Sequence, residues 1–220
     1  MVEALKIKAV LWDFGGVILT SPFEAFRRFE DSRGLPRDFL RKVNATNPHT
    51  NAWARFERGE VDALAFGALF QVEARALGQD VHGRDILPLI SGEVRPRMVA
   101  ALRKVKAQAF KVACLTNNMP LGHGPGMAVS AEKAAAVAEV MALFDHVVES
   151  SKVGIRKPEP DFYRRACDLL EIAPAEAVFL DDLGINLKPA AAMGMRTIKV
   201  EDPDKALADL SAIIGVEFEA

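Results

Sequence analysis

The chain has 220 residues, half of them apolar and 26% charged, with a formal net charge of -2. That length buries a substantial core as one domain or a domain carrying an insertion, so disorder is not needed to account for it. A near-neutral balance lacks the electrostatic footprint of a nucleic-acid-binding or polybasic membrane protein.

In chain order, the opening Met-Val-Glu-Ala-Leu-Lys-Ile-Lys and the apolar run up to Asp13 are too short and too interrupted for a signal peptide. A cytoplasmic location is the expectation, and no apolar stretch is long enough to span a membrane. Residues 7–12 are β-prone, and Asp13-Phe14-Gly15-Gly16 breaks the run as a strand feeding a loop would. Over residues 23–90 the spacing turns helical, with Phe23, Phe26 and Phe29, then Val61, Leu64, Ala68, Leu69 and Val72 on repeating faces. Gly34-Leu35-Pro36, Asn47-Pro48 and Gly59-Glu60 punctuate it, which predicts a small helical bundle inserted after the first strand.

Beyond Pro96 helices and strands alternate: helix 98–107, strand 110–116, helix 130–143, strand 146–149 and a helix opened by Pro158 and ending near 170. Strand 177–180, a short helix 187–193, strand 196–200 and a closing amphipathic helix 204–213 complete the series. This rhythm predicts an α/β fold with a doubly wound parallel sheet. The chain divides into a core of residues 1–20 and 93–220 and a helical insertion of residues 21–92. Cys114 and Cys167 sit in apolar stretches without metal-ligand spacing and read as reduced core thiols.

Polar residues gather where the strands end, the place where open α/β sheets bind ligands. Asp13, Thr116, Ser150 and the pair Asp181-Asp182 all fall there. An isolated aspartate in such a place can simply cap or turn the chain. Two adjacent carboxylates after a buried strand repel one another unless a cation or hydrogen-bond donors neutralise them, and magnesium suits such an oxygen site. Lys157, beside Pro158 at an expected helix start, is either a surface lysine or a fixed cation for an anionic group. Thr116, followed by Asn117 and Asn118, supplies donors suited to a phosphoryl group.

These residues, in this order, resemble the four motifs of the haloacid-dehalogenase superfamily: Asp13 with its loop, Leu115-Thr116-Asn117-Asn118, Lys157-Pro158, and Leu180-Asp181-Asp182. More narrowly, residues 150–163 and 179–189 resemble the N-terminal phosphatase domain of soluble epoxide hydrolases, and a related domain precedes some acyl-CoA dehydrogenases. The resemblance implies a Rossmann-like core with the helical insertion as a cap. It implies a phosphatase that attacks a small phosphorylated substrate with Asp13, forms an aspartyl-phosphate and hydrolyses it with water. Magnesium would be held by Asp13, the Gly15 carbonyl and Asp182, with Asp181 and Asn186 orienting that shell. Thr116 and Asn117 would bind phosphate oxygens, and Lys157 would neutralise Asp13 and the phosphoryl charge. Neither nucleic acid nor membrane is an expected partner, and the oligomeric state is unknown from the sequence.

One position departs from that pattern. Most phosphatases of the superfamily carry an aspartate two residues after the nucleophile as general acid and base, and here Gly15 stands there. Such help is worth about a hundred- to ten-thousand-fold, so three readings stay open. Activity persists through a good leaving group, a cap residue or metal-bound water; the reaction is a dehalogenase's or phosphonatase's; or the fold is a non-catalytic binding module. The acidic pair argues against a metal-free dehalogenase, and a phosphonatase would need Lys42 as its cap lysine. In the cap, His49, Asn51 and Trp53 are candidates to reach substrate, His49 also as the replacement acid, while Trp53 equally suits packing against Phe56. Arg27, Arg28, Arg33, Arg37, Arg41, Arg55 and Arg58 make the cap basic, to attract an anion or merely to cover helix faces. His123, in the glycine-rich loop after Thr116, is a candidate to help gate entry.

Overall fold

The computed structural model describes residues 6–122, 127 and 130–218, so the expectation for His123 lies outside the described residues. Its strands are β1 Ala9–Trp12, β2 Lys111–Thr116, β3 His146–Glu149, β4 Ala177–Asp181 and β5 Arg196–Lys199. They pair in parallel in the order β3-β2-β1-β4-β5. Every residue of β1 and β4 is buried, which is why these strands read as continuous apolar runs without alternation.

The helices are α1 Phe23–Arg33, α2 Phe39–Ala45, α3 Ala52–Glu57, α4 Ala63–Ala76, α5 Pro96–Ala107, α6 Ala131–Met141, α7 Ser150–Val153, α8 Pro160–Leu170, α9 Gly184–Ala192 and α10 Pro203–Ile214. One face of the sheet presents Val10, Trp12, Val112, Cys114, Val178 and Leu180 to α5, α6 and α10. The other presents Ala9, Leu11, Ala113, Leu115 and Phe179 to α8 and α9. Both faces are therefore covered, as a parallel sheet requires. Connections leaving β1 run to one side of it and those leaving β4 to the other. The carboxyl ends of β1 and β4 thus flank the crevice where such sheets bind ligands.

Helices α1 to α4 gather round a separate aromatic cluster that includes Phe26, Trp53, Phe56, Phe66 and Phe70. The chain leaves for these helices and returns through paired segments: Thr20 N–H donates to Glu93 O and Arg95 N–H to Ile18 O, each at 2.8 Å. Gly92 is required there, since a Cβ would stand 2.5 Å from Thr20 O.

Two boundaries differ from the sequence expectation. Pro158 does not open α8; Pro160 does, at the first turn, where a missing N–H costs nothing. Residues 156–159 form a turn closed by Glu159 N–H to Arg156 O at 2.8 Å, so Lys157 lies in a loop rather than at a helix start. Helix α9 begins at Gly184, ahead of the expected 187. Its first turn is held by polar bonds, Leu183 N–H to Asp181 Oδ1 and Tyr163 O–H to Asn186 O, which leave no apolar periodicity to read. No helix among the described residues is long and apolar enough to cross a membrane.

Candidate active site

Asp13 follows the buried strand β1 and is 7% exposed. Its Oδ1 accepts from the Phe14 N–H at 2.6 Å and from Lys157 Nζ at 2.8 Å. Both donors converge on one oxygen and leave Oδ2 without either of them. Lys157 Nζ also lies 2.8 Å from Asp181 Oδ2, and this lysine is only 1% exposed. Burial pulls the ammonium toward the neutral form, but Asp13 and Asp181 outweigh it and hold Lys157 protonated well above its ordinary range.

Asp181 is fully buried and saturated: besides Lys157 it accepts from Leu183 N–H at 2.8 Å and from Asn186 Nδ2 at 3.0 Å on each oxygen. The Asn186 backbone is in turn held by Tyr163 O–H, so Asp181 and Asn186 support one another, with every Asp181 oxygen doubly engaged.

Asp182 differs. Burial, then the charge of Asp181, push its carboxyl up to about 6 against the partial relief of Lys157. Burial, with the charges of Asp181 and Asp182, likewise raises Asp13 despite Lys157. Oxygens of Asp13, Asp181 and Asp182 lie within 4.8 Å of one another. Three carboxylates against one lysine leave an excess of two negative charges, which a divalent cation with hard oxygen ligands would neutralise. The residues therefore fit magnesium, with Asp13 and Asp182 as the side chains not already saturated.

The two loop glycines separate sharply. Gly16 has φ +77°, and a Cβ there would run into the Asp182 carboxylate, so only glycine lets the loop pass that close. Gly15 has φ -68° and ψ 132°, a conformation any residue adopts, and a Cβ there would meet nothing within 4 Å. Backbone geometry does not explain the missing carboxylate.

A cavity of about 420 Å³ opens onto this cluster, with Asp13, Gly15, Thr116, Asn117, Lys157, Asp182 and Asn186 among its lining. Its remaining wall is largely apolar, including Leu19, Phe23, Phe26, Trp53, Ile90 and Met119. Thr116, 4% exposed at the end of β2, lines the cavity. Asn117 lies there too, but its side chain is occupied: Oδ1 accepts from Lys157 N–H at 2.9 Å, and Nδ2 donates to Lys157 O at 2.9 Å. The same Nδ2 reaches Glu57 Oε2 at 3.3 Å. The side-chain amide is a clamp on Lys157, so the phosphate contact expected of this residue rests on backbone donors.

Several sequence candidates are placed elsewhere. Ser150 is fully buried outside the cavity lining; its Oγ donates to Asn118 O and accepts from Asn118 N–H, bracing the loop after β2. His49 is exposed and does not line the cavity; only its carbonyl is engaged, by Arg58 Nη2 at 3.1 Å, so it does not replace the missing acid. Asn51 is turned inward as the cap of α3, accepting from Ala54 N–H at 2.8 Å. Lys42 is exposed on α2 and outside the lining, which removes the lysine a phosphonatase would need. Of the seven arginines of residues 27–58 singled out above, Arg41 lines the cavity.

Trp53 packs in the aromatic cluster, though against other rings than the expected Phe56. Its ring packs edge-on against Phe66 at 5.4 Å and Phe26 at 6.4 Å, and it also lines the cavity. Two residues that sequence reasoning missed complete the site: Glu57, 6% exposed, and Arg156, whose Nε lies 2.5 Å from Glu57 Oε2. Both line the cavity. Glu57 falls within the apolar surroundings of α3, and Arg156 immediately precedes Lys157, the adjacency that was legible but unused.

A family model of haloacid dehalogenase-like hydrolases matches residues 7–194. Acyl-CoA dehydrogenase family member 10 of Mus musculus is 33% identical over 94% of this chain but only 19% of its own length. Bifunctional epoxide hydrolase 2 of Sus scrofa is 30% identical over 97% of this chain and 40% of its own length. The chain thus spans less than half of each of these two curated relatives. A sesquiterpene phosphatase of Aspergillus oryzae is 26% identical over 94% of this chain and 97% of its own length. A family enzyme of Bacteroides thetaiotaomicron, solved with magnesium and inorganic phosphate, is 20% identical, covers 89% of this chain and 96% of its own, and superposes with a TM-score of 0.55.

Proposed function

The chain belongs to the haloacid dehalogenase-like hydrolases, and from that premise we propose that it is a magnesium-dependent phosphatase of phosphate monoesters with an apolar leaving group. The observation that carries the reading is Asp13: Oδ1 is pinned by Phe14 N–H and Lys157 Nζ, so Oδ2 attacks from a fixed carboxylate.

Attack of Oδ2 on phosphorus forms the aspartyl-phosphate and breaks the bond from phosphorus to the ester oxygen, whose electrons leave with the alcohol. Lys157 favours the ionised form of Asp13 against its burial and offsets its repulsion from the phosphate. Thr116 offers its hydroxyl to a phosphate oxygen from the cavity floor. Magnesium, held by Asp13, the Gly15 carbonyl and Asp182, would supply charge neutralisation for the phosphate. Water then attacks phosphorus, releasing phosphate and regenerating Asp13.

No carboxylate at residue 15 protonates the departing alcohol, so the reading favours esters whose alcohol leaves readily or takes its proton from water. The apolar wall from Leu19 to Met119 suits an apolar body on that alcohol, and a sesquiterpene phosphatase among the relatives supports it. A second reading, a binding module that keeps the fold without turnover, draws on Gly15 alone. A buried Asp13 held by its own lysine has no use in such a module.

The test is phosphate release from aryl, alkyl, sugar and isoprenoid phosphates with magnesium and with chelator, using Asp13→Asn as control. Turnover that needs both magnesium and Asp13 supports the phosphatase. Silence across the panel from folded, magnesium-binding protein favours the binding module.

A further inference from the structure

The three residues at the C-terminal end of the turn of α3 meet the core one after another. Glu57 pairs with Arg156 at 2.5 Å, Arg58 Nη1 lies 3.5 Å from Glu159 Oε1, and Gly59 packs so closely that a Cβ would stand 2.7 Å from Ser151 O. Arg156 also donates from Nη1 to Pro48 O at 3.0 Å. An ion pair between two packed bodies is ordinarily just a fastening, worth little beyond offsetting its own desolvation.

Glu57 differs from a fastening in what it holds. Its Oε1 accepts from Trp53 Nε1 at 2.9 Å, and Oε2 is shared by Arg156 and the Asn117 amide. That amide is the clamp that grips both the N–H and the C=O of Lys157. From Lys157 the chain of contacts continues, through Nζ, to Asp13. One hydrogen of Asn117 Nδ2 serves Lys157 O and the other faces Glu57, so Glu57 adds a third point of support to the two that the clamp makes with Lys157. Burial raises the Glu57 carboxyl, but Arg156 and Trp53 favour the ionised form, which accepts from all three donors at once.

We infer that Glu57 is a positioning residue: a carboxylate carried by the helical insertion that, through Asn117 and Arg156, holds Lys157 where it meets Asp13. This rests on the phosphatase reading above. Glu57 touches no reacting atom and acts only through the residues it orients. Insertion and core are thereby coupled through a polar path, and the lysine is seated when α3 is seated.

Glu57→Gln keeps the shape and removes the charge. The expected result is a fall in kcat of about ten- to a hundred-fold, the range for residues that orient a site's own ligands, equal for a phenyl and an alkyl phosphate. KM is expected to rise less than phosphate affinity falls, since the ester body keeps its contacts with the apolar wall. Binding of inorganic phosphate with magnesium, followed by calorimetry, is expected to weaken in step, and this readout needs no turnover. Glu57→Asp is expected to recover part of both. Arg156→Lys, which keeps the charge but not the Nε contact, serves as the second variant should Glu57→Gln fail to fold, with a smaller loss in the same two readouts.

Unchanged kcat and phosphate affinity in Glu57→Gln overturn the inference while leaving the phosphatase intact. A loss confined to the alkyl ester overturns it differently, by making Glu57 a proton donor to the leaving group. A wild-type protein that turns over neither ester sinks the phosphatase reading itself, and phosphate affinity then still decides whether Glu57 orients the loops.

Discussion

The ammonium of Lys157 lies 2.8 Å from Oδ1 of Asp13, in a place where the lysine is 1% and the aspartate 7% exposed. Burial and the neighbouring carboxylates push Asp13 toward its neutral form, and this pair is what opposes them. Replacing Lys157 with Met removes the cation and leaves Asp13, Asp181 and Asp182 to repel one another. The expected cost is about 3–5 kcal/mol of stability in the metal-free protein, read from urea denaturation, with phosphate release abolished. Magnesium should restore part of the stability and none of the turnover.

Gly15 and Gly16 predict opposite behaviour from adjacent substitutions. Gly15→Asp enters open space in an ordinary backbone conformation, so the melting temperature should hold. Turnover of alkyl phosphates should rise by up to about a hundred- to ten-thousand-fold, and that of esters with good leaving groups far less. Gly16→Ala should instead cost stability and magnesium affinity together, because its Cβ and the Asp182 carboxylate claim the same space.

The acidic cluster predicts how magnesium and pH combine. Asp182 titrates near 6 in the fold, above its ordinary 3.8, so the unfolded chain ionises first as pH rises. Stability from the neutral form is complete below the unfolded value and is lost through the folded one, a loss of about 3 kcal/mol in the metal-free protein. Magnesium binds the ionised form and cancels that loss. The rise in melting temperature on adding magnesium should therefore be larger at about pH 8 than at about pH 5. An equal rise at both would place the ion elsewhere.

Ile185 offers a test of the apolar wall that leaves the core alone. It lines the cavity yet is 51% exposed, so Ile185→Ala should not disturb folding. Burying such a side chain against a ligand is worth about 1.5–3 kcal/mol, and partial loss should raise KM for an isoprenoid phosphate by about tenfold. KM for a small phosphate such as phosphoenolpyruvate should stay the same, since it does not reach this wall.

The parallel sheet and the gathering of Asp13, Thr116, Asp181 and Asp182 were legible because buried parallel strands are continuous apolar runs and their polar ends stand out against them. What was not legible depended on contacts between distant segments. Nothing near Asn117 in the chain shows that its side chain is taken by the Lys157 backbone, forty residues on. Glu57 does not stand out in α3 until Arg156, ninety-nine residues away, comes to meet it. His49 and Asn51 misled in the other direction: polar residues in a turn suggest a ligand, but one faces outward and the other caps α3. Gly15 and Gly16 are indistinguishable as letters and separate only when the carboxylate of Asp182 fills the space beside one of them.

The most direct measurement is acid quench of the protein during turnover of an ester labelled at phosphorus, followed by mapping of the protein-bound label. The label should appear on the peptide containing Asp13, decay on chase with unlabelled ester, and be absent from Asp13→Asn. Turnover at full rate with no label on Asp13, or with label retained in Asp13→Asn, would contradict the nucleophile assigned to this site.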